Sequence, residues 1–285
     1  MKVQVLTDST SYLPLDLVEE YDIKRVTLSV SFGAENIKEL EITNEEFYPM
    51  MKKLGIPVSS QPSVNEIYDE MIKVVETGDS LCCVFLSSDM SGTYDTSKMA
   101  KEMVLEEYED AQIEIIDSRS NSMQLGFAVL QAARESKAGK SLEQVKNAAL
   151  ENIKRSRFLF IPDNLDYLKK GGRIGGASAL IGNIFKIIPI LTVEDGKTAI
   201  LTKARTKKNA VSAMINKFMD DINKFGLGEV IIHHINCLAE AQELANQIKE
   251  KLDIKISTVD IGPIIGLHVG PGAIGIAYYT QEPLR

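Results

Sequence analysis

The sequence predicts an α/β protein of two domains, and three observations support this fold class. Strand-length apolar segments alternate with helical segments up to about residue 160, which is the pattern of a parallel sheet. Beyond it, a hairpin signal at 194–197 and consecutive strands indicate a mixed sheet. The length of 285 residues suits one large or two ordinary domains. We therefore expect a parallel α/β/α domain at 1–160 and a mixed-sheet α/β domain at 161–285.

In the first half, strands are predicted where apolar residues run together or alternate with polar ones. These strands are 3–6, 25–32, 81–86 and 112–116. The unbroken apolar run 81–86 indicates a strand that is buried on both faces. Helical segments lie between the strands, at 15–21, 43–55, 63–75, 94–108, 122–137 and 142–153.

Three of these helices begin at a capping box, in which a hydroxyl residue and a Glu or Gln three positions later bond each other's backbone N–H groups. The pairs are Thr43 with Glu46, Ser63 with Glu66, and Ser141 with Gln144. The second pair accounts for Ser63. It does not account for Ser59, Ser60 and Gln61 just upstream, because one hydroxyl is enough to cap a helix.

Hydroxyl-rich segments follow three predicted strands, which end at Leu6, Leu86 and Ile116. Ligands of open α/β sheets bind outside the carboxyl ends of the strands. Three such segments at one sheet edge would therefore form a ring of hydroxyl donors. The first segment, 7–11, is also suited to capping the next helix, and the two roles are compatible.

The second half contains shorter elements around several basic and glycine-rich segments. Strands are predicted at 157–161, 190–193, 198–201, 230–234, 254–259 and 273–280, and helices at 163–170, 209–223 and 238–252. The apolar run Ala177–Leu191 is too short to span a membrane, so it is either core or the lining of a hydrophobic ligand cavity. Arg173 lies between glycine pairs, and the segment 202–208 is basic; either is a solvated turn or an anion-attracting feature.

The segment Gly262–Gly275 contains five glycines, two prolines and His268. Glycine lets backbone N–H groups approach a ligand closely, so a loop of this composition can form an anion-binding nest. The alternative is a tight crossover between two strands. His268 favours the functional interpretation, because a loop needs no imidazole for its geometry.

Composition and motifs exclude several classes of protein. A net charge of -8, from 32 basic and 40 acidic residues, argues against general nucleic-acid binding. Three cysteines without metal-ligand spacing imply neither a disulfide framework nor a metal site. His233 and His234 are adjacent on a predicted strand and point to opposite faces, which argues against a metal site formed by both histidines. No signal peptide or membrane span is predicted, which favours a cytoplasmic location.

The sequence also lacks the Walker A pattern, the protein-kinase signatures and the nucleophile elbow of α/β-hydrolases. The remaining functional groups are hydroxyls, arginines, one histidine and glycine N–H donors. Arginine suits phosphate oxygens and histidine exchanges protons near neutral pH. This set fits a small acid held while a phosphoryl group arrives, and it fits equally a phosphorylated metabolite bound without chemistry.

Six short motifs occur in order along the whole chain. They are Thr7–Ser9, Ser59–Ser63, Ser87–Tyr94, Asp117–Ser118, Gly172–Ile174 and Gly262–Gly275. Each is weak alone, but in this order they resemble the DegV family, the fatty-acid-binding proteins of bacterial fatty acid kinase. The resemblance implies a two-domain fold with a parallel and a mixed sheet, and a buried tunnel that holds a long-chain fatty acid with its carboxylate at the domain interface.

The resemblance also implies roles for individual residues. Ser59, Ser60, Ser91 and Gly270 are expected to bind the carboxylate, and Arg173, Arg205 and His268 to support phosphoryl transfer. Ser59 stands where many members have threonine, so the hydroxyl is kept and a methyl is lost. Leu267 and Val269 replace the common threonines on either side of the histidine, which removes up to two hydroxyls.

By this resemblance the chain is a non-catalytic, substrate-binding subunit. It would present the fatty acid to a separate ATP-binding kinase subunit, which forms an acyl phosphate for phospholipid synthesis. We expect a cytoplasmic monomer with a bound fatty acid, no cofactor, no metal, no nucleic acid and no stable membrane insertion. Two alternatives stay open: a lipid carrier or sensor without a kinase step, and an independent enzyme acting on a small phosphorylated metabolite.

Overall fold

The computed structural model describes residues 2–181 and 187–284. The chain divides into two compact units, each described by itself. Unit 1 comprises Met1–Glu41 and Ser59–Lys154, and unit 2 comprises Ile42–Val58 and Arg155–Arg285. The predicted domains are 1–160 and 161–285, so the segment 42–58 falls in the first of them. In the structure, the contacts of this segment place it in unit 2.

The strands of the described residues are numbered in chain order. They are β1 Val3–Asp8, β2 Lys24–Val26, β3 Ser29–Phe32, β4 Glu35–Lys38, β5 Val58–Ser60, β6 Ser80–Phe85, β7 Ile113–Asp117, β8 Ser156–Ile161, β9 Ile188–Glu194, β10 Lys197–Ala204, β11 Leu227–His234, β12 Ser257–Asp260 and β13 Ile274–Thr280.

The α-helices are numbered in the same way. They are α1 Leu15–Glu20, α2 Asn44–Leu54, α3 Val64–Val75, α4 Thr93–Glu107, α5 Ser122–Lys137, α6 Leu142–Arg155, α7 Asp166–Lys170, α8 Lys207–Phe225, α9 Leu238–Lys249 and α10 Pro263–Val269. Of the helices in the described part of the chain, none is long and apolar enough to cross a membrane.

Unit 1 is built on a parallel sheet with the strand order β2-β1-β6-β7, as the sequence predicted. Every residue of β6 is buried, which agrees with its unbroken apolar sequence. Alternate residues of β6, Leu81, Cys83 and Phe85, pack in one core cluster with α3 and α4. The cluster ties the sheet to the helices that follow β5 and β6.

The predicted strand 25–32 is wrong in one respect, because it is two strands in different sheets. β2 belongs to the parallel sheet, and β3 lies in a small sheet of order β4-β3-β5. The break falls at Leu28, whose backbone N–H donates to Ser9 Oγ at 3.1 Å and not to a neighbouring strand. The Ser9 side chain, just after β1, therefore takes part in the break, although apolar and polar residues alternate without interruption from 25 to 32.

Unit 2 contains a six-stranded sheet of order β10-β9-β8-β13-β11-β12. β11 and β12 are parallel and the other neighbours are antiparallel, so the mixed sheet is confirmed. Its core cluster combines sheet residues such as Leu159 and Ile276 with Phe218 of α8 and Leu244 of α9.

Helix α2 belongs to unit 2 although unit 1 flanks it in sequence. Its capping box forms as predicted, between Thr43 and Glu46. The side chain of Asn44 donates to the Ile261 carbonyl at 3.1 Å, and Tyr48 Oη donates to the same oxygen at 3.4 Å. These bonds attach α2 to the segment that leads into α10.

The interpretation of Gly262–Gly275 as a loop is wrong, because half of it is helix α10 and its last two residues belong to β13. Pro263 occupies the first turn, where its fixed φ suits a helix and no N–H is required. The helix ends at Gly270, which has a φ of 88°. Only 270–273 connect α10 to β13.

The apolar run Ala177–Leu191 is described in part. Gly175–Leu180 forms a 3-10 helix, and β9 begins at Ile188. Ile184 and Phe185, which the sequence assigned to this run, lie outside the described residues.

Candidate functional site

The three hydroxyl-rich segments of unit 1 meet at the carboxyl edge of the parallel sheet. β1, β6 and β7 are neighbours, so the segments that follow them lie side by side. The Ser87 N–H donates to the Ser120 carbonyl at 2.8 Å, and Ser88 Oγ donates to Asp117 Oδ2 at 2.6 Å. The convergence that the sequence predicted is therefore present within unit 1.

Asp8, the last residue of β1, connects two of these segments by accepting hydrogen bonds from their backbone N–H groups. Its side chain is fully buried; Oδ1 accepts from the Thr10 N–H at 2.9 Å and Oδ2 accepts from the Leu86 N–H at 2.8 Å. Burial raises the pKa of the Asp8 carboxyl above its ordinary value, and these hydrogen bonds oppose that rise. The carboxylate consequently serves the loop structure, since its oxygens already accept backbone donors.

Ser91 lies at the start of α4, beside the fully buried Thr93. Its Oγ accepts from the Thr93 N–H at 3.3 Å and lies 2.9 Å from Thr93 Oγ1, where either hydroxyl can donate. When Thr93 donates, both acceptor positions of Ser91 are occupied and the Ser91 O–H is left to donate to a ligand. This arrangement suits a carboxylate oxygen, which only accepts.

Ser59 and Ser60 lie on β5, where Ser59 is half-buried and Ser60 is exposed. The next residue, Gln61, donates from Nε2 to Thr96 Oγ1 on α4. Within unit 1, the structure therefore connects the Ser59–Ser60 segment to the helix whose first turn follows Ser91.

In unit 2, the structure brings Arg173 and His268 together. His268 is buried on α10, and its ring lies so close to Gly171 that a Cβ at that position would overlap Nδ1. Arg173 is exposed and donates from Nη1 to the Gly171 carbonyl at 2.7 Å. Burial, and then the positive charge of Arg173, lower the pKa of His268 to about 4. The imidazole is thus neutral at pH 7, and Arg173 carries the charge.

Glycines around α10 allow close packing of side chains. A Cβ at Gly266 would overlap Tyr48 Oη of α2, and one at Gly270 would overlap the Tyr167 ring of α7. Together with the contact of His268 on Gly171, these are approaches that only a residue without a Cβ permits. The structure gives these glycines a packing role, which differs from the predicted anion nest.

Arg205 is exposed between β10 and α8, directly before the helix cap Thr206. Exposed lysines flank it at 203 and 207, so the predicted basic segment is a solvated junction. The cation that acts on the pKa of His268 is Arg173. Arg205 therefore keeps its role only as a proposal.

A small apolar cavity of about 10 Å³ lies inside unit 2. Its walls come mainly from β8, α10 and β13; the lining residues are Phe158, Phe160, His233, Ile235, Ile261, Ile265, Val269, Ala273, Ile274 and Gly275. Ile265 and Val269 belong to the helix that carries His268. Val269, which replaces a threonine expected from the resemblance, contributes its apolar side chain to this wall.

Three residues contact the predicted site residues or the glycines around α10 but were not predicted from the sequence: Thr93, Tyr48 and Tyr167. Thr93 carried a signal, because it lies two residues after Ser91 in the predicted motif. The tyrosines carried none, since their glycine partners are distant in sequence. No cluster of His, Cys, Asp and Glu that could hold a metal ion occurs among residues 2–181 and 187–284.

Comparisons with known proteins identify the class. The sequence profile of the DegV family of uncharacterised proteins matches residues 2–281. A DegV domain-containing protein of Clostridium acetobutylicum is 60% identical over 285 residues, which is 100% of each chain. The chain belongs to the DegV family.

Two solved structures share the fold. A stearic acid-binding protein from Eubacterium ventriosum has a TM-score of 0.89 at 28% identity, with 98% of each chain covered. The fatty acid binding protein DegV from Bacillus subtilis has a TM-score of 0.89 at 31% identity, with 98% of this chain and 99% of that chain covered.

The packing role of Gly270 yields a prediction. Gly270→Ala places a Cβ against Tyr167, whereas Gly172→Ala, also at positive φ in unit 2, meets nothing within 4 Å. Both variants carry backbone strain from a positive φ, and Gly270, at φ 88° and ψ 155°, lies in a region that only glycine adopts readily. Overpacking against Tyr167 adds about 1–3 kcal/mol at position 270. Urea unfolding should show this extra loss of stability for Gly270→Ala; equal losses would contradict the packing role.

Proposed function

We propose that the chain binds a long-chain fatty acid and presents its carboxylate to a separate ATP-binding kinase subunit. The acyl chain occupies the apolar cavity of unit 2. Carboxylate binding is assigned to Ser59, Ser60, Ser91 and Gly270, and support of phosphoryl transfer to Arg173, Arg205 and His268. We further propose that the product enters phospholipid synthesis and that the protein acts as a cytoplasmic monomer.

One observation carries the proposal: a single helix, α10, both lines the apolar cavity and holds His268. Ile265 and Val269 face the cavity on either side of His268 in sequence. A ligand that contacts both the cavity lining and His268 would be apolar along its length and polar at one end. A fatty acid has this form, and the structural neighbours from Eubacterium ventriosum and Bacillus subtilis are described as fatty-acid-binding proteins.

Burial of hydrocarbon provides the driving force for binding. Each CH₂ group removed from water contributes about 0.8 kcal/mol before ordering costs. The cavity of about 10 Å³ is far smaller than the roughly 300–1,000 Å³ of typical ligand pockets. A long acyl chain therefore requires its lining side chains to move apart, and the Ile265 and Val269 side chains on α10 are among those that would move.

The charges around His268 suit a carboxylate that is about to react. Arg173 supplies a positive charge beside the buried imidazole, and guanidinium groups pair well with carboxylate and phosphate oxygens. His268 is neutral at pH 7, so it can donate or accept a hydrogen bond without forming an ion pair. These properties support binding and orientation of an anion at this position.

The kinase step is proposed because the sequence carries hydroxyls, arginines and a histidine without a known nucleotide motif. In this step a carboxylate oxygen attacks the γ-phosphorus of ATP on the partner, ADP leaves, and an acyl phosphate forms. The chain contributes the position of the carboxylate, and the partner contributes the nucleotide.

The location of the acyl chain is tested by filling the cavity. Ala273→Leu introduces bulk into the cavity wall, and we expect palmitate to bind more than about tenfold more weakly. Ala241→Leu is the matched control, because Ala241 is buried in the core of the same unit and does not line the cavity. Equilibrium binding is measured after circular dichroism confirms folding. Equal palmitate affinity in the two variants would contradict this location.

The kinase step is tested with Arg173→Ala and His268→Ala. We expect both variants to bind palmitate and to lose most acyl phosphate formation when a fatty acid kinase subunit and ATP are added, since each removes a group proposed to assist transfer. Formation is followed by trapping the acyl phosphate with hydroxylamine. Unchanged phosphorylation would contradict the assigned roles, and binding without any phosphorylation by wild type would favour a carrier.

A further inference from the structure

Gln61 makes two contacts around the start of α4, and neither belongs to the roles proposed so far. Its Nε2 donates to Thr96 Oγ1 in the first turns of the helix. Its carboxamide also lies over Gly92, the residue between Ser91 and α4. The same side chain therefore joins the strand that carries Ser59 and Ser60 to the helix start that follows Ser91.

The packing at Gly92 is specific to Gln61. A Cβ built at position 92 would overlap Gln61 Oε1, and its three nearest neighbours are all atoms of the Gln61 carboxamide. The backbone itself does not require glycine here, because φ of −75° and ψ of 0° are open to other residues. The space that glycine leaves at 92 is thus filled by one side chain.

β5 needs such a connection because it is short and largely exposed. It spans Val58–Ser60, and Val58 is 71% exposed. Three residues of strand at a sheet edge are weakly constrained by pairing alone. After Gln61, the chain enters α3 through the Ser63–Glu66 capping box, which fixes the other side of the segment.

We infer that Gln61 is a positioning residue, which holds the Ser59–Ser60 segment against the start of α4 so that these hydroxyls and Ser91 act on one carboxylate. The inference rests on the proposed function and adds a determinant of selectivity for the acid head group. Gln61 itself does not touch the ligand in this account. Its effect is carried by the hydroxyls that it places.

The inference is tested with variants that remove or displace the Gln61 side chain. Gln61→Ala removes it, and Gly92→Ala displaces it while keeping the glutamine. Each full-length variant is titrated with palmitate and with hexadecan-1-ol, which has the same chain without the carboxylate. We expect palmitate to bind about tenfold more weakly to both variants, and the alcohol to bind within about twofold of wild type.

The double variant adds a test of mechanism. Once Gln61 is alanine, a Cβ at position 92 meets no carboxamide, so Gln61→Ala with Gly92→Ala should bind palmitate no more weakly than Gln61→Ala alone. Gln144→Ala is the matched control: Gln144 is also an exposed glutamine, and it accepts one bond, from the Ser141 N–H at 3.1 Å, at the start of α6. This control should bind both ligands as wild type does.

Three results would overturn the inference. Gln61→Ala could bind palmitate as tightly as wild type, its loss could be equal for the acid and the alcohol, or the two substitutions could be fully additive. Wild-type protein that binds neither ligand would overturn the proposed function itself. Because the Gly92→Ala variant retains the native glutamine, the test stands even where Gln61→Ala fails to fold.

Discussion

The close packing of α10 is the constraint on which unit 2 depends. The helix presents Ile265 and Val269 to an apolar cavity, and it also presses His268 against Gly171. The contact of His268 depends on the glycine at 171, and Gly266 and Gly270 likewise lie where a Cβ would collide with a hydroxyl or a ring. Burial in this packing also keeps the imidazole neutral, since desolvation disfavours its charged form.

In unit 1, hydrogen bonds hold polar loops in place at the edge of the parallel sheet. Asp8 accepts backbone hydrogen bonds on both sides, and Ser88 bonds to Asp117. Several hydroxyls that look available in sequence are therefore committed to loop structure. Ser91 differs, because its neighbour Thr93 can satisfy its acceptor positions and leave its proton to a ligand.

Local patterns predicted much of this fold from the sequence. The capping boxes, the buried β6 and the mixed sheet follow from short-range spacing and are present in the structure. The break between β2 and β3 did not follow, because it depends on Ser9, and α10 was missed because glycine content concealed a helix that tertiary packing stabilises.

The site was predictable to the extent that its motifs are local. The convergence of three loops followed from sheet topology, whereas the contacts of Tyr48 and Tyr167 with glycines depend on pairs far apart in sequence. The central claim is that the packed residues around α10 form part of a fatty-acid-binding site. Mass spectrometry of lipid extracted from the purified protein tests it most directly. We predict close to one long-chain fatty acid per protein molecule, whereas lipid-free protein that also fails to bind added palmitate or oleate would contradict the account.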